Sequence, residues 1–378
     1  MKKICIVAGA RPNFMKVAPI IRSIRQLGRG ELEYFLVHTG QHYDPNMSDI
    51  FFEELGISTP DFYLDCKGTH FGQISKTMAS LEEICIVQNP HIMVVVGDVN
   101  STVAAALTAK SKGIPLAHIE AGLRSNDFTM PEEINRIITD SVTDLFFTSE
   151  EQANINLLNE GRPKERIYFV GQIMIDNLYY QIQQISQNGP PSQALDIRSH
   201  LPERYLCLTL HRASNVDDPN TLKKLFGLLR EVSEEYPIIF PCHPRTRTQI
   251  SKNRFGKYFS ECPINGNIDA GILLTEPMSY NNFLYLWKDA MAVLTDSGGL
   301  QEETTALKVP CLTLRKNTER PITVEVGSNT LIGDDYPSIG LKLDEISNGT
   351  YKKSHIPELW DGKSSERIVQ VLVRVGHD

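Results

Sequence analysis

Three carboxylates stand where proton transfer could be carried out: Asp98, Glu120 and Glu132, all within VVVGDVNSTVAAALTAKSKGIPLAHIEAGLRSNDFTMPEEINR, residues 94–136. Carboxylates positioned this way serve as general acids and bases. A second group is cationic: Arg11 and Lys16 in GARPNFMK, His211 and Arg212 in LTLHRASN, His243 and Arg245 in PCHPRTR, and Arg315 and Arg320 in LRKNTERP. Cations gathered at strand ends of a chain with formal charge -8 suit an anionic ligand. A third group is Ser297, Gly298 and Gly299 ahead of a helix carrying Glu302 and Glu303. A glycine pair at a helix start lets backbone N–H groups approach a phosphate, and Ser297 adds a hydroxyl donor. Each group also has a plainer explanation. Asp98 can cap a helix, Glu120 can pair with Arg124 or Arg136, and Arg11 and Lys16 can be solvated charges on a turn. Asp296 or Ser297 can be an N-cap, and His42 and Asp44 in GQHYDPNM can belong to a polar loop.

Placing these residues takes repeated strand–helix units. Residues 3–8 read as a first buried strand, GARPNFMKVAPIIRSIRQLG as a turn and crossover helix, and residues 35–39 as a second strand. Val94, Val95 and Val96 form a β-branched run of the kind buried on both faces, and Asp98 follows directly. Ser101 can cap the next helix, Gly113 stops it, and residues 114–119 form the next strand, which Glu120 ends. Pro131 fits a first helical turn, with Glu132 and Glu133 near its positive end and Arg136 one turn along. Helix 134–142, strand 144–148, helix 150–160 and strand 167–171 continue the pattern without a hairpin signal, so the sheet is parallel. Ligands bind beyond the carboxyl ends of such strands, which places Asp98 and Glu120 on one crevice.

A chain of 378 residues exceeds what one core fills, so two domains are expected. The polar QIQQISQNGPP marks a linker within residues 172–202, separating a domain over 1–171 from one over 203–363. The second restarts with strand 205–210, a helix from Leu222 and strand 238–241, and residues 364–375 read as an amphipathic helix. No apolar run approaches the ~18 residues of a membrane helix. The opening MKKICIVAGARP is too short in its apolar part for a signal peptide and fits a strand. Seven scattered Cys suit a reducing cytoplasm without disulfides or a zinc site. The acidic balance opposes general nucleic-acid binding.

The phrases GDVNST, HIEAGLRS and PEEINR resemble the UDP-N-acetylglucosamine 2-epimerase family, and the likeness runs from Gly9 to about Gly333. The resemblance implies an α/β glycosyltransferase B architecture, two Rossmann-like domains facing across a cleft, with the helix over 364–378 crossing back to the first. It assigns proton handling to Asp98, Glu120 and Glu132, and the leaving phosphate to His211. Arg11 and Lys16 become pyrophosphate or uridine contacts, Ser297, Gly298, Gly299 and Glu303 contacts to the UDP moiety, and His243 and Arg320 further substrate contacts. Arg136 would orient Glu120 or Glu132. The implied partner is a UDP-sugar, without metal or cofactor, in a cytoplasmic homodimer.

The implied reaction can be tested against the residues. Inverting C2 of an N-acetylhexosamine is difficult because no carbonyl acidifies that hydrogen. Transient oxidation would need NAD, and GARPNFMK lacks the GxGxxG fingerprint. Departure of UDP from C1 instead creates oxocarbenium-like charge that acidifies C2, and cations can hold the departing pyrophosphate while carboxylates move the proton. The rivals are a glycosyltransferase, a hydrolysing epimerase, a non-catalytic sensor, and an epimerase of UDP-2,3-diacetamido-2,3-dideoxyglucuronate. Many bacterial members bind a second substrate molecule at a Gln-His-x-Gln segment. Here Gln41, His42, Tyr43 and Asp44 lack the second Gln, which implies no activation by that mode.

Overall fold

The computed structural model describes residues 1–40, 49–260 and 267–375. The Gln41–Asp44 segment and Cys262 therefore lie outside the described residues. The chain divides into two units, Met1–Tyr179 with Glu358–Asp378, and Tyr180–Pro357.

The first unit runs β1 (Lys2–Ala8), α1 (Arg11–Leu27), β2 (Leu32–His38), α2 (Asp49–Glu54), β3 (Phe62–Tyr63), α3 (His70–Gln88), β4 (Ile92–Val96), α4 (Asn100–Ser111), β5 (Leu116–Ile119), α5 (Pro131–Val142), β6 (Leu145–Thr148), α6 (Glu151–Asn159), β7 (Ile167–Phe169) and the start of α7 (Ile173–Asn188), within which the division falls. Its seven parallel strands lie in the order β3-β2-β1-β4-β5-β6-β7. The β-branched run explains the centre of this sheet. All five residues of β4 are buried, because helices cover both faces of a parallel sheet and leave its middle strands no polar side.

The second unit continues with α8 (Ser192–Ser199), β8 (Leu206–Thr209), α9 (Ala213–Val216), α10 (Pro219–Val232), β9 (Ile238–Pro241), α11 (Pro244–Lys252), β10 (Ile272–Thr275), α12 (Tyr280–Trp287), β11 (Ala292–Thr295), α13 (Gly298–Leu307), β12 (Cys311–Thr313), α14 (Pro321–Glu325), β13 (Asn329–Leu331) and α15 (Ser338–Ser347). Six parallel strands are ordered β10-β9-β8-β11-β12-β13. Leu206, Leu208, Phe226, Ile238, Phe240, Leu294 and Leu312 are fully buried in its core. Both units are thus doubly wound α/β folds of the Rossmann type.

The last helix, α16 (Ser364–Arg374), belongs to the first unit and packs on α1. Both of its ends are tied there. Asp176 accepts from the N–H groups of Ser364 (3.1 Å) and Ser365 (2.7 Å), satisfying otherwise orphaned donors. Lys2 donates to the carbonyls of Val373 (2.5 Å) and Val375 (2.7 Å) at the other end. Ile368, Val369 and Leu372 form its buried stripe.

The segment expected to be a linker is helical. Most of it forms α7 and α8, because Ile173, Ile175, Leu178 and Ile185 supply buried apolar positions that the many Gln and Asn residues conceal in the sequence. Ser101 is not the cap of α4, whose N-cap is Val99. Among the described residues, no helix is long and apolar enough to cross a membrane, and no cluster of metal-ligating side chains occurs. The six described cysteines are buried and free.

Candidate active site

In the first unit the strand order reverses between β1 and β4, the position where open α/β sheets bind ligands. The turn after β1 is held by Asn13, which accepts from the N–H groups of Gly9 (3.3 Å) and Ala10 (3.0 Å) and donates to the Val96 carbonyl (3.2 Å). Glycine is required at position 9, since a Cβ there would lie 2.0 Å from the Ser101 hydroxyl. Asp98, directly beyond β4, is not a helix cap. Its carboxylate accepts from Arg136 Nε (3.0 Å) and Nη2 (2.7 Å), while Asn135 donates to its carbonyl (2.9 Å).

Glu120 ends β5 in the left-handed region, with φ 67°, a conformation that costs a non-glycine residue on the order of 1 kcal/mol. Its carboxylate is 4% exposed, Oε2 is ion-paired with Lys16, and Oε1 is buried without a hydrogen-bond partner. The plainer alternative, Glu120 paired with Arg124 or Arg136, does not occur. Arg124 binds Asp140 and Glu160, and Arg136 binds Asp98 and Glu133, so Arg136 orients Asp98 rather than Glu120 or Glu132. Glu132 is exposed on the first turn of α5. Its neighbour Glu133 is buried and accepts from Ser125 N–H (2.9 Å), Asn126 N–H (3.0 Å) and Arg136 (2.7 Å). Burial acts to raise the Glu133 carboxyl, and these donors overcome it and hold it below the usual range. Arg11 opens α1 with its guanidinium 5.1 Å from the Phe51 ring centroid.

Beneath Asp98 and Glu120 lies a network that motif reading passed over. His118, fully buried on β5, bridges the Gly97 carbonyl (2.9 Å) and Asp140 (2.7 Å). Asp140 also accepts from Gly122 N–H (3.0 Å) and Arg124 (2.7 Å). Burial favours the neutral Asp140 acid, but His118, Arg124 and Gly122 hold its carboxyl below the usual range. The turn bearing Asp98 and the strand end bearing Glu120 are thereby fixed to one another. The signal was present in HIEAGLRS, where the histidine stands two residues before Glu120.

The second sheet reverses order between β8 and β11, and His211 and Asp296 lie just beyond those strands. Asp296 is fully buried. It accepts from the N–H groups of His211 (3.0 Å) and Arg212 (2.8 Å), from Asn215 Nδ2 (3.2 Å), and from His211 Nδ1 at 2.9 Å. Burial would raise its carboxyl, and His211 with these N–H donors brings it below the usual range. Of the two N-cap candidates in the sequence, Asp296 and Ser297, the cap position is Ser297, not Asp296. Asp296 instead sets the His211 ring so that Nδ1 carries the shared hydrogen and Nε2 is turned to its other side. The His243 ring centroid is 5.8 Å from that of His211. His243 caps α11, its Nδ1 accepting from Arg245 N–H (3.2 Å), and partial burial, then the neighbouring His211, lower its pKa.

Ser297 is the N-cap of α13 without a side-chain cap bond, and Gly298 and Gly299 open the helix. A Cβ at either glycine would meet nothing within 4 Å, so neither position is crowded, and the first N–H groups of a helix are those a phosphate can use. One turn on, Glu303 is buried, and the Tyr280 hydroxyl donates to it at 2.6 Å. Burial pushes the Glu303 carboxyl up to about 8. Arg320 is ion-paired with the buried Glu302 and donates to the Glu319 carbonyl (3.2 Å). Arg315 forms a two-pronged pair with Glu319 (2.9 and 2.6 Å). Burial opposes ionisation of Glu319, but Arg315 prevails and lowers it to about 2. A cavity of about 440 Å³ is lined by Arg212, Asn215, Arg315 and Tyr336.

Within the first unit, then, Asp98, Glu120, Lys16 and Arg136 share one neighbourhood at the strand reversal. Within the second, His211, His243, Ser297, Gly298 and Gly299 stand at or beside the corresponding reversal, and Glu303 and Arg320 lie on or against α13. The chain is similar to known proteins over nearly its whole length. The model of the family described as UDP-N-acetylglucosamine 2-epimerase matches residues 25–373. The UDP-N-acetylglucosamine 2-epimerase of Methanocaldococcus jannaschii is 41% identical over 374 residues, 98% of each chain. A crystal structure of the enzyme from that organism, in complex with UDP-N-acetylglucosamine and UDP, superposes with a TM-score of 0.82 at 38% identity, covering 98% of this chain and 99% of the other. The UDP-2,3-diacetamido-2,3-dideoxy-D-glucuronate 2-epimerase of Pseudomonas aeruginosa is 39% identical, covering 99% of this chain and all of its own, 100%. A lipopolysaccharide outer core galactosyltransferase shares the fold alone, with a TM-score of 0.56 at 13% identity over 98% of this chain and 99% of its own. Family model, full-length relatives and fold agree that the chain belongs to the UDP-N-acetylglucosamine 2-epimerase family.

Proposed function

We propose that the protein interconverts UDP-N-acetylglucosamine and UDP-N-acetylmannosamine by eliminating UDP and adding it back. The reading rests above all on Asp98 and Glu120, two carboxylates at the ends of adjacent strands, each held by its own cation. The C1–O bond breaks with its electron pair going to the phosphate of UDP. A carboxylate takes the C2 proton, and the electrons of that C–H bond form the C1–C2 double bond of a glucal. Returning the proton to the opposite face of C2 and UDP to C1 gives the epimer, which is why more than one acid–base group is needed. Asp98, Glu120 and Glu132 share this proton handling. His211, set by Asp296, presents Nε2 to the leaving phosphate, and Arg11, Lys16 and the N–H groups of Gly298 and Gly299 at the start of α13 stabilise the departing charge. Ser297, Glu303, His243 and Arg320 hold the nucleotide, with Glu303 on the ribose hydroxyls.

A second substrate reading is favoured by the 39% identity to the diacetamido-glucuronate epimerase, close to the 41% of the N-acetylglucosamine enzyme. A panel of UDP-sugars followed by proton NMR separates the two. Epimerisation of UDP-N-acetylglucosamine without release of free sugar is expected. Accumulation of free N-acetylmannosamine and UDP would make the enzyme a hydrolysing one, and turnover of the diacetamido-glucuronate alone would replace the substrate.

A further inference from the structure

We propose that Lys16 is a positioning residue that changes partners, leaving Glu120 for the pyrophosphate of the incoming nucleotide, so that nucleotide binding releases Glu120 for proton transfer. The inference rests on the functional reading above and adds an order of events to it. In the structure Lys16 holds Glu120 Oε2, with the two side chains 14% and 4% exposed. Among the described residues no other ion pair reaches Glu120, and its second oxygen, Oε1, is buried without a hydrogen-bond partner. The pair lies against the turn that carries Asp98, since a Cβ on Gly97 would be 3.6 Å from both Glu120 Oε2 and Lys16 Nζ. While the ammonium sits on Oε2, that oxygen is engaged and cannot be offered to a substrate C–H. Once the ammonium leaves, both carboxylate oxygens are free of protein partners and one can be turned to the sugar.

The surrounding groups identify the mobile partner. Glu120 is fixed by its left-handed backbone at the end of β5. Arg136 and Arg124 are each engaged by two carboxylates of their own. Lys16 stands on α1, whose N-terminus favours an anion, and a lysine is a flexible four-carbon arm with a compact charge that can swing between acceptors while its helix stays in place. A pyrophosphate carries more charge than one carboxylate and competes for that ammonium. The permanent-salt-bridge alternative keeps Lys16 on Glu120 whatever is bound.

The two accounts predict opposite behaviour in binding. UDP and uridine affinities are measured by titration calorimetry for the wild type, Glu120→Gln, and the double variant Lys16→Met with Glu120→Gln. If Lys16 exchanges, Glu120→Gln removes its competitor, and UDP binds about five-fold tighter or more, the scale of one partly screened charge pair. Uridine, lacking phosphate, binds all three proteins alike and reports that each is folded. The double variant loses the gain and falls to wild-type UDP affinity or below. Equal UDP affinity in the wild type and Glu120→Gln overturns the exchange, and so does a gain that persists in the double variant, which would be general relief of repulsion. Because only binding is read, these outcomes leave the epimerase reading intact, whereas a wild type that binds no UDP would sink both.

Discussion

Replacing Glu303 by Gln should stabilise the protein in alkaline solution and leave it nearly unchanged in acid. Glu303 is 4% exposed, and burial lifts its carboxyl from 4.5 to about 8, with Glu302 adding and the Tyr280 hydroxyl partly opposing. The folded chain therefore keeps a proton that the unfolded chain releases. The stability associated with that proton is complete below about pH 4.5 and is lost as pH rises through about 8. Glutamine copies the shape, keeps an acceptor for Tyr280, and has no proton to lose. A gap of about 3.5 pH units between 4.5 and about 8 corresponds to a ceiling of about 5 kcal/mol. Relaxation and water entry around an ionised buried group reduce this, so Glu303→Gln is expected to gain ~2 kcal/mol or more on the wild type at pH 9. Urea unfolding of both proteins from pH 5 to pH 9 reads the difference directly, because every other titrating group is common to the pair. A difference that stays constant across this range, or a wild type that gains on the variant as pH rises, would refute the argument.

Asp296→Asn disturbs the bond that sets His211, so kcat should fall by about 10²-fold while uridine affinity is retained; an unchanged kcat removes His211 orientation from the mechanism. Asp98→Asn keeps the size of the side chain and its contact to Arg136 but not its basicity, and turnover should fall by at least ~10²-fold with little change in UDP binding, measured by NMR and calorimetry. Ile368→Ala opens a cavity between α16 and the rest of the first unit and should cost about 2–5 kcal/mol in urea unfolding; a loss below 1 kcal/mol would mean that the helix contributes little to that core.

The parts of the fold that were legible in the sequence share a physical origin. Val94, Val95 and Val96 announce a strand because three β-branched residues suit a strand buried on both faces, and Pro131 announces the start of α5 because proline needs no helical N–H partner there. The position of Asp98 and Glu120 beyond adjacent parallel strands followed from the same units. What stayed hidden depends on distance along the chain. Lys16 is 104 residues from Glu120, and nothing local distinguishes it from the arginines nearer in sequence. Glu132 and Glu133 are neighbours whose fates differ, because about 100° of helical rotation sends one to solvent and the other beneath Arg136. Asp296 looked like a cap because capping chemistry is local, while its actual partners, His211 and Asn215, arrive from β8 and the short helix after it. The polar residues of α7 suggested a linker because they outnumber and interrupt its buried Ile173, Ile175, Leu178 and Ile185.

The central claim is that C2 is inverted through loss and return of its proton after UDP departs from C1, and the hydrogen at C2 records whether this happens. Wild-type enzyme is supplied with UDP-N-acetylglucosamine in D2O, and the isolated UDP-N-acetylmannosamine is examined by proton NMR and mass spectrometry. The proton rests on a carboxylate that exchanges with solvent, so the product should carry deuterium at C2. Product formed at full rate with protium retained at C2 would contradict elimination, and an oxidation that keeps the original hydrogen within the site would have to take its place.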